Sequence, residues 1–163
     1  MESGRPGVRL RALVTGGPPG TCPVVAALER QGFSVATERW AGRRGAVPLP
    51  PGPFDCYVQL PWASPPGDAA RWLPDRLDAR VDLLAAVAPR LAPGATVVLA
   101  VDDGDTGRAE ASADLLSALA MVVLEESGRP DVRVSTGPAA ELCGPPGAQA
   151  ARGGVMLQAA TGG

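Results

Sequence analysis

The chain has 163 residues, 45% of them hydrophobic and 20% charged, with a formal net charge of −2. That length suits one domain with a real hydrophobic core, the composition is that of a soluble globular protein rather than a disordered one, and the charge points to neither a polyanion nor an acidic substrate. Lysine, histidine, asparagine and isoleucine are missing altogether, so all 15 basic residues are arginine and several catalytic groups are excluded outright.

The opening stretch, MESGRPGVRLRALV, carries arginines but no apolar run of signal-peptide length, and no run of membrane-spanning length follows, which predicts a cytoplasmic protein. Apolar runs of strand length then alternate with segments of helical period, the pattern of an α/β domain with a parallel sheet. VRLRALV (8–14) reads as the first strand and leads into LVTGGPPGTCPVV (13–25), a glycine-rich turn. A helix is expected over 23–31, with Pro23 in its first turn and Gly32 just past its end. FSVATE (33–38) is the second strand, and the four prolines at 48, 50, 51 and 53 make 41–53 a loop. FDCYVQL (54–60) is the third strand, 69–91 a helix, ATVVLAV (95–101) the fourth strand and 107–127 a second long helix. DVRVST (131–136) and GVMLQA (154–159) complete about six strands in one domain spanning 1–163. The 21 glycines and 18 prolines are scattered between these runs as loop punctuation.

The helix over 107–127 is unusual because apolar side chains occupy nearly all of its faces between Leu115 and Leu124, too many for one buried stripe. It is expected to be covered twice, once by the sheet and once by something else. Cys22, Cys56 and Cys143 are widely spaced, form no C-x-x-C and have no histidine beside them, so buried free thiols are expected in place of a zinc site. Tyr57, the sole tyrosine, lies inside a strand and reads as a packed aromatic. The acidic group Asp102, Asp103 and Asp105 reads as a solvated loop, and Ser135 and Thr136 read equally well as polar pocket groups or as strand-end capping residues.

Four stretches in order resemble the short-chain dehydrogenase/reductase family: RALVTGGPPGTCPVVAALERQGFSV, FDCYVQLPW, GATVVLAV and SALAMVVLEESGRPDVRVSTGP. The resemblance implies a Rossmann-like, doubly wound parallel sheet whose third strand unit is missing, because Ala41 to Pro53 is too short to hold it. It also implies a nucleotide site at Gly16, Gly17 and Gly20, with Glu38 or Arg39 where the family selects its nicotinamide nucleotide. That site is degenerate. Pro18, Pro19 and Pro23 lack N–H donors for a pyrophosphate, Cys22 stands at the third glycine position, and Pro61 and Trp62 replace small residues near the ribose.

The family's proton-donating tyrosine and its lysine would fall near Arg108 and Ser112, and its serine near Asp102 to Asp105. A phenol needs an adjacent cation to act near neutral pH, and none of these residues supplies that pair. Conventional carbonyl reduction is therefore excluded and no cofactor is expected. The leading expectation is a noncatalytic subunit that associates, through 71–91 and 107–127, with a second copy or with an intact reductase-like homologue. A binding module, or a non-redox cyclase or isomerase using the crevice with Asp102, Asp103 or Cys22, is the alternative, with polyketide or fatty acyl intermediates as the setting. Neither nucleic acid nor membrane is expected as a partner.

Overall fold

The computed structural model describes residues 9–16, 23–38, 49–60, 79–101 and 106–138. Five strands form one parallel sheet: β1 (Arg11–Thr15), β2 (Ser34–Glu38), β3 (Phe54–Gln59), β4 (Leu91–Val101) and β5 (Arg133–Pro138), in the order β2-β1-β3-β4-β5. Among the described residues three helices accompany them: α1 (Pro23–Arg30), α2 (79–87) and α3 (Thr106–Glu126). A 3₁₀ turn, Ala88–Arg90, joins α2 to β4. The expected strand at 154–159 lies outside the described residues.

Strand order and connection hand together place the helices. β2 lies on one side of β1 and β3 on the other, so right-handed crossovers put α1 on one face and α2 and α3 on the opposite face. The core divides accordingly. Val24, Ala27 and Leu28 of α1 pack on Ala12, Val14, Cys56, Val58, Val98 and Ala100. Leu83, Leu84 and Val87 of α2, with Leu116, Ala120, Val123 and Leu124 of α3, pack on Leu13, Tyr57, Val97, Leu99 and Val101. Because β1, β3 and β4 are covered on both faces, they read as continuous apolar runs, and the edge strand β2 is only half-buried.

Helices α1 and α3 stop in the same way. Phe33 N–H donates to the Leu28 carbonyl and Gly32 N–H to that of Glu29, while Arg129 N–H donates to Leu124 and Gly128 N–H to Glu125. Both are Schellman motifs, with Gly32 and Gly128 at φ +91° and +72°.

The fourth strand begins four residues before the expected Ala95. Leu91 already pairs with Phe54, and the chain then bulges out through Pro93 and Gly94 before rejoining the ladder at Thr96 opposite Cys56. A clasp at this amino edge holds the bulge. Arg129 donates to the carbonyls of Ala88, Leu91 and Ala92, and the Asp131 carboxylate, paired with Arg129, accepts the Gly94 N–H at 2.8 Å. Arg90 likewise donates to the Leu49 and Pro50 carbonyls, tying the segment that enters β3. Among the described residues no helix is long and apolar enough to cross a membrane.

Candidate functional site

In a doubly wound sheet the ligand crevice lies beyond the carboxyl ends of the strands where the order reverses, here at β1 and β3. β1 ends at Thr15, and Gly16 follows it. The Gly16 N–H donates to the Glu38 carbonyl at 3.2 Å, and the Leu60 N–H donates to the Thr15 carbonyl at 2.8 Å. Gly16 has φ +80°, and a Cβ there would run into the Leu60 carbonyl oxygen. Glycine is thus required at 16 by the close approach of β1 and β3, and its N–H is committed to β2.

Of the residues expected to hold a nucleotide, the sheet brings Gly16 and Glu38 together through backbone. Gly17, Gly20 and Arg39 lie outside the described residues, as do Cys22, Pro61, Trp62, Asp102, Asp103, Asp105 and Cys143. Ser135 and Thr136 sit in β5, half-buried and paired with Val98 and Leu99. Arg108 and Ser112 belong to α3.

Beneath this edge, on the face covered by α2, lies a buried polar cluster. Tyr57 is fully buried, and its hydroxyl is 2.8 Å from Thr15 Oγ1 and accepts from Gln59 Nε2 at 3.1 Å. Gln59 Nε2 also donates to the Arg80 carbonyl, and its Oε1 accepts from Arg80 Nε at 2.6 Å. The Arg80 guanidinium, in a residue only 7% exposed, reaches on to the carbonyls of Gln59 and Ala100. It therefore bridges β3 and β4 just where their ladder ends.

This chemistry keeps the tyrosine neutral. Burial pushes the Tyr57 phenol up to about 12, against smaller lowering effects from the Thr15 and Gln59 hydrogen bonds and the Arg80 charge. A phenol so placed has a closed set of partners and holds its proton at neutral pH, the opposite of an activated general acid. On the other face Cys56 is free and buried, its thiol pushed up to about 12 by burial and then by the Asp55 charge, so it is a poor nucleophile.

Reading the sequence for chemistry missed Thr15, Gln59 and Arg80, although each left a signal. Thr15 and Gln59 are polar residues at the last inward positions of apolar strands. Arg80 precedes Leu83, Leu84 and Val87 at spacings of three, four and seven, which puts it on the buried stripe of α2.

A second candidate surface is the outer face of α3. The sheet covers Leu116, Ala120, Val123 and Leu124, leaves Leu119 half-buried, and leaves Leu115, Met121 and Val122 46%, 62% and 53% exposed. Among the described residues these are the exposed large apolar side chains, and all three project from one helix. The outward positions of α2 hold only small or acidic residues, Asp82, Ala85 and Ala86.

The fold and these two surfaces define an α/β domain with a doubly wound parallel sheet. No protein-family model matches the chain, and no curated protein matches it.

Proposed function

We propose that the chain is a noncatalytic, reductase-like subunit that acts by associating with another protein, through the outer faces of α2 and α3. The observation that carries this reading is the exposed trio Leu115, Met121 and Val122 on a helix whose other face is already packed. Two further features support it. The strand order 2-1-3-4-5 agrees with the dinucleotide-binding order 3-2-1-4-5-6 less its third strand, the unit for which residues 41–53 leave no room, and is equally the order of the flavodoxin-like doubly wound sheet. The sole tyrosine is buried in a hydrogen-bonded cluster and is not poised for proton transfer. The alternative, a crevice used for a small molecule or for non-redox chemistry with Asp102, Asp103 or Cys22, would draw on residues outside the described ones, whereas the α3 surface lies within them; the surface therefore carries the proposal.

Met121→Arg tests the reading. It adds a charge to an exposed position and should leave cooperative unfolding intact while abolishing self-association in light scattering, or co-purification of the partner from the native cell. A wild-type chain that is monomeric at micromolar concentration and captures nothing that Met121→Arg releases would overturn it.

A further inference from the structure

The outer face of α3 also carries charge, and its placement bears on what can dock there. Along the helix the exposed residues run Asp114, Leu115, Ala118, Met121, Val122 and Glu125. The apolar stripe is thus closed by a carboxylate at each end, with the small Ala118 at its middle, where another helix could approach closely. From Asp114 to Glu125 is about 16 Å at 1.5 Å per residue. Glu126 and, on α2, Asp82 add further exposed carboxylates, and no arginine is exposed among the described side chains of α2 and α3.

We propose that this surface selects a partner helix with an apolar stripe and basic residues at both ends, and rejects a second copy of this chain. The inference rests on the reading of α3 as an association surface and names the partner's chemistry. Symmetry supplies the argument. If two copies pack antiparallel about a twofold through Ala118, Asp114 of one lies opposite Val122 of the other, within about one helical turn of its Glu125. If they pack parallel, Asp114 meets Asp114 and Glu125 meets Glu125. Either way carboxylates oppose carboxylates as the apolar stripe is desolvated, and like-charge juxtaposition of this kind is how an interface refuses the wrong partner. Arginine or lysine at both ends of the incoming helix turns the same geometry into two ion pairs.

The chain itself supplies the probe. A copy carrying Asp114→Arg and Glu125→Arg keeps the stripe and reverses both ends, so it has the chemistry of the inferred partner. Sedimentation velocity should find wild type and reversed copy each monomeric alone and a one-to-one heterodimer in their mixture. That pairing should weaken at least about tenfold at high salt. It should vanish when Leu115→Gln, Met121→Gln and Val122→Gln together remove the stripe without changing charge, with thermal melts verifying that every variant folds. A wild-type homodimer broken by Met121→Arg would overturn the charge selection and leave the association reading standing. A mixture that stays monomeric also overturns the charge selection; the association reading falls with it only if co-purification returns nothing that depends on Met121.

Discussion

Two arginines hold β4 at its opposite ends in contrasting surroundings. At the carboxyl end Arg80 is 7% exposed and binds the Gln59 side chain and the carbonyls of Gln59 and Ala100. At the amino end Arg129, with its side chain 17% exposed, binds the carbonyls of Ala88, Leu91 and Ala92 and pairs with Asp131, itself 41% exposed. The donor chemistry is the same. What differs is whether water can stand in when the arginine is gone, and that decides how much each contributes to stability. The buried cluster is joined to Tyr57 and Thr15, so its members are satisfied together or not at all. The amino-edge clasp holds one bulge and faces solvent.

The largest effect is expected at Arg80. Arg80→Met keeps much of the stem volume but strands three buried acceptors, for a loss of about 3 kcal/mol in urea unfolding. Arg129→Met should cost less, about 1–2 kcal/mol, because its acceptors are only partly buried and can be rehydrated. Should Arg129→Met prove the more damaging of the two, the contrast drawn between the ends of β4 is wrong.

The smallest and most specific effect concerns Asp131. Hydrogen bonds from Arg129 first, and then from the Gly94 N–H, lower its carboxyl from 3.8 to about 2. A carboxyl whose folded value lies below its unfolded one stabilises the fold fully above the unfolded value, and that contribution is lost as pH falls through the folded value. The thermal midpoint of the wild type should therefore drop between pH 3.8 and about 2 in part through Asp131, and Asp131→Asn should flatten that part of the profile. Parallel profiles for the two proteins would show that the clasp contributes nothing pH-dependent. No such response is expected from the Arg80 cluster over that range, because the group titrating there is Tyr57, at about 12.

The composition of α3 alone indicated that one face of the sheet could not cover Leu115 to Leu124, because apolar residues recur there at more than one helical phase. Which of them remain outside was a tertiary decision. The helix is rotated so that Leu116, Val123 and Leu124 meet β4 and β5, and this turns Met121 and Val122 to solvent.

Strand and helix positions were legible because parallel strands buried on both faces must be apolar at every position, and a helix packed on one side must be apolar at every third or fourth; both are local constraints. Gly32 announced the end of α1 for the same reason, since a helix stop is written within a few residues. The start of β4 at Leu91 was not legible, because Pro93 and Gly94 read as a break in the strand; what carries the strand across them is a ladder to Phe54 and a clasp from Arg129, neither of them local. The carboxyl-edge cluster shows the same division. Arg80 could be placed on the buried face of α2 from spacing alone, yet its acceptors in Gln59 and Ala100 lie 21 and 20 residues away on strands whose adjacency no local pattern encodes. Periodicity therefore determined what is buried, and strand order decided what each buried polar group meets, because hydrogen bonds between elements depend on packing and register that only the assembled sheet defines.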